Sequence, residues 1–274
     1  METSRNNQQA DFNIDTKIVR ELLVRFIKEQ TMKAGFVKAV IGVSGGVDSA
    51  VSAALASEAL GKENVLGVML PYRMSNPKSV EDAGLVIQKT GIRSELVNIS
   101  RMVDAYCEEY KITDPIRCGN IMARMRMIVL YDLSAREKAL VIGTSNKTEI
   151  LVGYGTQHGD IACAINPLGD LYKSQIWHLA EALSIPKRII EKAPSADLWA
   201  GQTDEGELGV TYAELDALLY EMIDQRRSDD ELKKMGFEEA LIKKIQGMMK
   251  KNQFKSRPPV IANVSGRNAD VDSQ

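Results

Sequence analysis

Histidine, cysteine and aromatic residues are scarce in this sequence of 274 residues. It contains 2 histidines and 3 cysteines, and Phe, Trp and Tyr together make up 5% of it. Cys107, Cys118 and Cys163 are widely spaced and form no CxxC pair, which disfavours a zinc site, a redox motif and a disulfide framework. His158 and His178 have no partner at metal-ligand spacing. Structural roles are therefore expected for both histidines.

The sequence also has no large excess of positive or negative charge and no long apolar run. With 35 basic and 37 acidic residues the formal net charge is −2, so no general attraction to nucleic acid or a membrane surface is expected. No apolar run approaches the ~20 residues of a membrane-spanning helix. The polar N-terminus lacks the basic start and apolar stretch of a signal peptide. We therefore expect a cytoplasmic protein that binds neither nucleic acid nor membrane.

Short apolar runs alternate with amphipathic stretches in the first half of the chain. The runs predict strands at 37–43, 65–70, 95–99 and 139–142, and the stretches predict helices at 14–32, 49–60, 79–89, 101–110 and 120–137. This alternation indicates βαβ units, hence a parallel sheet covered by helices on both faces. We predict a doubly wound α/β fold in a single domain. Further helices are predicted at 172–183, 212–226 and 237–251, and weakly ordered tails at 1–13 and 258–274.

A glycine-containing loop lies between the first predicted strand and the following helix. Its glycines allow close approach of the backbone to an anion, and the helix start offers unpaired N–H groups and the positive end of a dipole. The carboxyl end of a parallel strand is also where open α/β sheets bind ligands. The loop lacks the lysine of the GxxxxGK[ST] phosphate loop. The sequence from Gly42 runs Gly42, Val43, Ser44, Gly45, Gly46, Val47, Asp48, Ser49.

Asp48 is the most informative residue of this loop. A carboxylate beside bound phosphates would be repelled unless a cation lies between them, and Mg²⁺ prefers carboxylate and phosphate oxygens. The residue therefore predicts Mg²⁺ together with a nucleotide phosphate. The alternative is that Asp48 only caps the following helix.

Two further segments carry candidate site residues. On a helix, Asn120 and Arg124 share one face, and Arg124 could present its planar guanidinium to a carboxylate or phosphate, or form a surface salt bridge. Arg126 falls on the face of buried apolar residues, so we expect it to be a paired structural arginine. Glu149 follows a strand and could be a second metal-binding carboxylate, or the partner of Asn146 in a capping box.

The motifs in their order resemble a known enzyme family. The segment SGGVDS is typical of ATP pyrophosphatases, or PP-loop enzymes, which cleave ATP between the α and β phosphates. Together with GNIMARMRM, GTSNKTE, Gly153-Tyr154-Gly155, the stretch from Asn166 to Lys173, and Pro194-Ser195-Ala196-Asp197-Leu198-Trp199, it resembles the ammonia-dependent NAD synthetases. The resemblance runs through almost the whole chain. It implies a Rossmann-like fold of the adenine nucleotide alpha hydrolase type over residues 14–257.

The resemblance also implies roles for residues at matching positions. The loop from Gly42 to Ser49 would bind ATP together with Thr144, Lys173 and Ser195. Asp48 and Glu149 would hold Mg²⁺. Deamido-NAD would contact Arg124, Asp160 and Lys255. The chain departs from many members at Phe254-Lys255-Ser256 and within the loop from Gln157 to Ala164, so the roles of these two segments stay open.

The implied reaction uses ATP, deamido-NAD and ammonia. The nicotinate carboxylate attacks the α phosphate of ATP and releases pyrophosphate, and ammonia then displaces AMP from the acyl adenylate to give NAD. No side-chain nucleophile is expected. Ammonia is the expected nitrogen donor because the chain begins almost directly with the first synthetase helix and leaves no room for a glutaminase domain. The family also implies a homodimer, with apolar faces on the first helix and on the helix at 120–137.

Two other classes of function remain open at this point. One is another PP-loop enzyme, such as a tRNA thiolase or a GMP-synthetase-like protein, although catalytic cysteine pairs and an added RNA-binding domain are missing. The other is a non-catalytic ATP-binding sensor. A sensor would need the phosphate loop but not the set of Asp48, Glu149 and Arg124.

Overall fold

The computed structural model of the chain describes residues 12–195, 197, 201–262 and 264. The tails predicted at 1–13 and 258–274 lie largely outside the described residues. Weak order in these tails, and a domain over 14–257, stay predictions.

Four parallel strands form a sheet at the centre of the fold. They are β1 (Ala39–Gly42), β2 (Val65–Met69), β3 (Arg93–Leu96) and β4 (Leu140–Ile142), in the order β3-β2-β1-β4. In the centre, Ile41 of β1 is aligned with Gly67 of β2 on one side and Ile142 of β4 on the other. The strand order reverses between β1 and β4, which confirms the predicted doubly wound fold. A ligand site is expected at such a reversal, outside the carboxyl ends of the strands.

Twelve α-helices surround the sheet or extend from it in the described part of the chain. They are α1 (Thr16–Lys33), α2 (Val47–Leu60), α3 (Pro77–Thr90), α4 (Ser100–Glu109), α5 (Pro115–Glu137), α6 (Lys147–Val152), α7 (Lys173–Ala182), α8 (Lys187–Ile190), α9 (Asp204–Leu208), α10 (Tyr212–Leu219), α11 (Asp229–Lys234) and α12 (Glu239–Asn252).

Alternate residues of the strands face two separate apolar cores. Ile41 and Val65 pack in the core that contains α2 and α7, whereas Val40, Leu66 and Val68 pack in the core under α4 and α5. Both faces of the sheet are thus buried, which explains why the central strands are almost continuously apolar. This arrangement leaves the edge at the carboxyl ends of the strands as the place where polar side chains can gather.

The edge strand β3 begins earlier than predicted. Its ladder pairs Leu66 with Arg93 and Met69 with Leu96, and the hydrogen bonds continue less regularly to Ile99, whose N–H donates to Pro71 O. The apolar residues Val97 and Ile99 favoured a strand there. Ile99 instead is fully buried at the start of α4.

A helical region after the sheet has an apolar core of its own. Tyr172 and Tyr212 are buried there with Leu215, Ile242 and Ile245. The helix predicted at 212–226 is α10 followed by one π-helical turn at Tyr220–Asp224. Among the described residues, no helix is long and apolar enough to cross a membrane.

Candidate active site

The phosphate loop joins β1 to α2 at the carboxyl edge of the sheet. Gly46 is the N-cap of α2 and no side chain caps this helix, so Asp48 is not the helix cap that the sequence left open. Ser44 N–H donates to Ser49 Oγ at 3.2 Å, and Ser49 Oγ donates to Gly46 O at 3.0 Å. These bonds hold the loop around a helix start that has no side-chain acceptor for its first N–H groups. An anion fits such a place.

Gly45 has the backbone conformation that this loop requires. Its φ is +79°, and a Cβ placed there would lie 2.4 Å from Ser79 O and 2.8 Å from Asp82 Cβ. Both the left-handed conformation and the close packing against α3 therefore demand glycine. This contact joins the loop to a helix more than thirty residues further along the chain.

We expect Gly45→Ala to lower the free energy of unfolding by about 2 kcal/mol or more, because strain and a backbone clash add. Gly84→Ala is the matched control, since Gly84 lies exposed in α3 and its Cβ would meet nothing within 4 Å. The control should gain about 0.5–1 kcal/mol from helix propensity. Urea unfolding measures both values, and equal stability of the two variants would contradict the role given to Gly45.

A buried lysine lies between the two predicted metal-binding carboxylates. Lys173, only 2% exposed, donates from Nζ to Asp48 Oδ2 and lies 3.8 Å from Glu149 Oε1. Its ammonium also lies 5.1 Å from the centre of the Tyr212 ring. Asn146 Nδ2 donates to Asp48 Oδ1 at 3.0 Å, which fixes the other carboxylate oxygen. Residues from α2, α6 and α7 thus meet beside the phosphate loop.

The charge balance of this cluster depends on the protonation state of Glu149. Burial and the neighbouring Asp48 raise the pKa of Glu149 to about 8, although Lys173 opposes the shift. Burial alone would lower the pKa of Lys173, but Asp48 and Glu149 outweigh burial and raise it. The ammonium is therefore charged at neutral pH. It faces two carboxylates, so the cluster lacks one positive charge when both are ionised.

The donor set of this cluster fits Mg²⁺. Asp48 and Glu149 offer hard carboxylate oxygens at the mouth of a phosphate-binding loop, and Mg²⁺ commonly takes one or two carboxylates together with substrate phosphates. A bound cation would favour the ionised form of Glu149, whose pKa is otherwise raised by burial and by Asp48. Among the described residues, no group of three or more His, Cys, Asp or Glu side chains is placed to hold a metal without such additional ligands.

Glu149 is the capping-box partner of Asn146 that its position suggested, and metal binding by Glu149 stays a prediction. Asn146 Oδ1 accepts the Glu149 N–H at 3.0 Å, and Glu149 Oε2 accepts the Asn146 N–H at 3.3 Å, which is a complete capping box. The other carboxylate oxygen is the one near Lys173. The cap therefore holds the carboxylate in position beside the phosphate loop.

A cavity of about 1230 Å³ opens above the loop and this cluster. Its size is sufficient for a nucleotide together with a second large substrate. Thirteen of the predicted site residues line it: Gly42, Val43, Ser44, Gly46, Val47, Asp48, Ser49, Thr144, Glu149, Asp160, Lys173, Ser195 and Lys255.

Comparison with known proteins agrees with this geometry. The family model described as NAD synthase matches residues 19–259. A Trichlorobacter lovleyi protein named NH(3)-dependent NAD(+) synthetase is 54% identical over 260 residues, which cover 95% of each chain. The chain belongs to the NAD synthase family.

Two solved structures extend the comparison to three dimensions. The NH3-dependent NAD synthetase of Campylobacter jejuni superimposes with a TM-score of 0.78 at 35% identity, covering 91% of this chain and 100% of that one. The NMN synthetase of Francisella tularensis gives a TM-score of 0.81 at 33% identity, covering 92% of this chain and 100% of that one. The fold thus agrees with that of a solved NAD synthetase structure.

Arg124 and Gly45 are the predicted site residues that do not line the cavity. Arg124 is exposed and donates from Nη2 to Gln157 O at 3.2 Å. On the same face of α5, Asn120 Oδ1 accepts the Thr156 hydroxyl at 2.8 Å. Both side chains thus hold the loop that follows Gly155. A contact between Arg124 and a substrate stays a prediction.

Lys255 lies in the cavity wall despite the unusual sequence around it. Its Nζ donates to Gly153 O at 2.9 Å and Gly155 O at 3.0 Å, and burial lowers its pKa. Asp160 lines the same part of the cavity and accepts the Thr156 N–H at 2.8 Å. In this NAD synthase family member, Lys255 therefore ties the segment after α12 to the loop after α6. Its predicted contact with deamido-NAD is not tested by this geometry.

Arg126 is a cavity residue that the sequence did not identify. We expected a paired structural arginine, but in the described part of the chain its guanidinium is within 4 Å of no carboxylate. Its Nε donates instead to Leu70 O at 3.0 Å, and burial lowers its pKa. Leu70 directly follows β2, so Arg126 reaches the cavity just beyond the carboxyl edge of the sheet. The helical periodicity of the sequence predicted which face of α5 carries Arg126. It did not predict that Arg126 lies beyond the ends of the strands.

A further buried acid lies near Lys173. Asp204 accepts hydrogen bonds from the Tyr154 hydroxyl at 3.0 Å and the Tyr212 hydroxyl at 3.2 Å. Burial raises the pKa of Asp204, and the charge of Lys173 opposes that rise. Asp204, Tyr212 and the segment with Tyr154 also fit the family resemblance in the sequence, but no role in the site was assigned to them. The contact of Asp204 with Tyr154 joins positions fifty residues apart, whereas Tyr212 is eight residues from Asp204.

Proposed function

We propose that this chain is an ammonia-dependent NAD synthetase, which uses ATP to convert deamido-NAD and ammonia to NAD, AMP and pyrophosphate. The observation that carries the proposal is the Asp48–Lys173–Glu149 cluster beside an uncapped helix start at the floor of a large cavity. The near full-length similarity to a relative named NH(3)-dependent NAD(+) synthetase supports it.

The residues of the chain act mainly by orienting substrates and neutralising charge. The open N–H groups at the start of α2 and the ammonium of Lys173 would hold the leaving pyrophosphate. Activation as an acyl adenylate gives the nicotinate carbon a good leaving group for attack by ammonia. Since the chemistry needs alignment and charge stabilisation, no covalent intermediate on a side chain is proposed.

We propose Asp48 and Glu149 as the Mg²⁺-binding residues. When bound, Mg²⁺ would neutralise phosphate charge as the pyrophosphate leaves. Asn146 holds Asp48 by a hydrogen bond, and the capping box holds Glu149, so both carboxylates are oriented before any ion binds.

A single reaction mixture tests the function. The protein is incubated with ATP, Mg²⁺, ammonium and deamido-NAD, and NAD and AMP are measured by chromatography. We expect both products in equal amounts, none after chelation of Mg²⁺, and far less NAD when glutamine replaces ammonium. Absence of AMP in the complete mixture would contradict the proposal, and would favour a different PP-loop enzyme or an ATP sensor.

The acceptor could instead be the mononucleotide. The observation that favours this second candidate is the TM-score of 0.81 with a structure described as an NMN synthetase. The same assay with nicotinate mononucleotide in place of deamido-NAD distinguishes the two. We expect the larger kcat/KM with deamido-NAD, and the reverse order would assign the mononucleotide.

We also propose a homodimer. Exposed apolar side chains on α5 support it, namely Ile116 (67% exposed), Ile128 and Tyr131, and Ile18 and Leu22 of α1 are exposed as well. Ile128→Glu should shift the protein from dimer to monomer in sedimentation velocity at micromolar concentration. A wild-type monomer under those conditions would contradict this proposal. The cytoplasmic location stays a prediction.

A further inference from the structure

A second lysine contacts the phosphate loop, at a different residue from the one that Lys173 contacts. Lys192, just after α8, lines the cavity, and its Nζ lies 3.5 Å from Gly45 O and 3.2 Å from Ser79 Oγ. The side chain is about one-quarter exposed, so the ammonium can reach a ligand in the cavity. Lys173 instead contacts the loop at Asp48, three residues beyond Gly45.

One buried carboxylate holds Lys192 at this place. Asp82 Oδ2 lies 3.0 Å from Lys192 Nζ, and Asp82 Oδ1 lies 2.8 Å from Arg188 Nε. The Asp82 side chain is almost fully buried, and its Cβ lies in the van der Waals shell of Gly45. Asp82 thus joins α3, α8 and the phosphate loop.

The two lysines differ in how far their charge is neutralised. Lys173 faces two carboxylates, whereas Lys192 shares the single carboxylate of Asp82 with Arg188. Arg188 has Glu81 as a further partner at 3.1 Å. The pair of Asp82 and Arg188 therefore persists when Lys192 turns toward another anion. Of the two lysines, Lys192 is the one with positive charge to spare for phosphate.

We infer that Lys192 is a phosphate-contacting residue, which binds the pyrophosphate portion of ATP from the Gly45 side of the loop, and that Asp82 is its positioning residue. This inference deepens the proposed function, because it rests on the loop binding ATP. Phosphate would be held between two ammonium groups, one from α7 and one from the segment after α8. Such a pair would stabilise pyrophosphate both within ATP and as it leaves.

The test measures binding of inorganic pyrophosphate with Mg²⁺ by calorimetry, without any acceptor substrate. Lys192→Gln should weaken binding by about tenfold to a hundredfold, the range for loss of a hydrogen bond to a charged group. Lys192→Arg keeps the charge and should bind within about fivefold of wild type. Arg188→Gln also removes a cation from Asp82, but should bind within about threefold because Arg188 does not line the cavity.

Each result separates a ligand contact from a structural role. Unchanged binding by Lys192→Gln would overturn the inference. An equal loss in Arg188→Gln would overturn it too, because the effect would then come from packing around Asp82. Wild-type protein that binds pyrophosphate but forms no NAD would refute the proposed function alone, and the inference could still be tested.

A measurement on the wild-type protein tests the inference even if a variant fails to fold. Lysines are acetylated briefly with an amine-reactive reagent, with and without saturating pyrophosphate and Mg²⁺, and modification is read by peptide mass spectrometry. Pyrophosphate should reduce modification of Lys192 at least fivefold and leave Lys187 unchanged, since Lys187 is 85% exposed on α8. Equal modification of Lys192 in both conditions would overturn the inference.

Discussion

Asp48→Asn should reduce turnover by about a thousandfold or more while the protein stays folded. Asparagine has nearly the same size as aspartate, and it can still accept the hydrogen bond from Asn146. What the substitution removes is the negative charge that would hold Mg²⁺ at the phosphate loop. Metal stabilisation of charge in a transition state is worth several kcal/mol, which corresponds to a factor of about a thousand or more.

The measurement is kcat/KM for ATP at saturating ammonium and deamido-NAD, together with a thermal unfolding curve. Asp224→Asn is the matched control, because Asp224 also pairs with a lysine, Lys147 at 3.0 Å, but does not line the cavity. We expect the control to keep turnover within about threefold of wild type. Equal losses in both variants, or normal turnover of Asp48→Asn, would remove the metal-binding role from Asp48.

The sheet could be predicted from the sequence because each strand is a local signal. Val65–Met69 is a compact apolar run, and its burial on both faces follows from the two cores that pack on it. Helix starts were predicted less well although their signals are present. Asp114 caps α5 ahead of Pro115, and Ser228 with Glu231 forms a capping box for α11, yet α5 was predicted to begin at 120 and α11 not at all. Short capped helices have little apolar periodicity, so a search for periodicity misses them.

Some residues of the candidate site could likewise be predicted from the sequence, and others could not. Residues in the first turn of a helix that closely follows a strand, such as Asp48 and Glu149, could be placed from the sequence, because parallel strands end at one edge of the sheet. Arg126 and Lys192 could not. Arg126 lines the cavity because its position on α5 lies just beyond the end of β2, where it contacts Leu70 O. Lys192 lines the cavity because it pairs with Asp82, which belongs to α3. Both facts depend on how helices pack against the sheet, and no local pattern records that.

The second large effect concerns stability as well as turnover. Lys173→Met should lower the free energy of unfolding by about 3–5 kcal/mol, since it removes the buried ammonium that lies between two partly buried carboxylates, Asp48 and Glu149. Turnover should fall by about a hundredfold to a thousandfold, as when one preorganised charge-stabilising group is lost. Urea unfolding and the NAD assay measure the two effects separately.

A second substitution distinguishes loss of charge balance from loss of packing. In Lys173→Met combined with Asp48→Asn, a single carboxylate remains, so much of the lost stability should return while turnover stays at or below that of Lys173→Met. Mg²⁺ should raise the unfolding free energy of Lys173→Met more than that of the double variant, because the single variant keeps both carboxylates. This comparison uses no substrate, so it examines the metal site independently of the reaction. If Lys173→Met were as stable as wild type, or if the double variant were no more stable than the single one, the charge cluster would not be what orders this part of the fold.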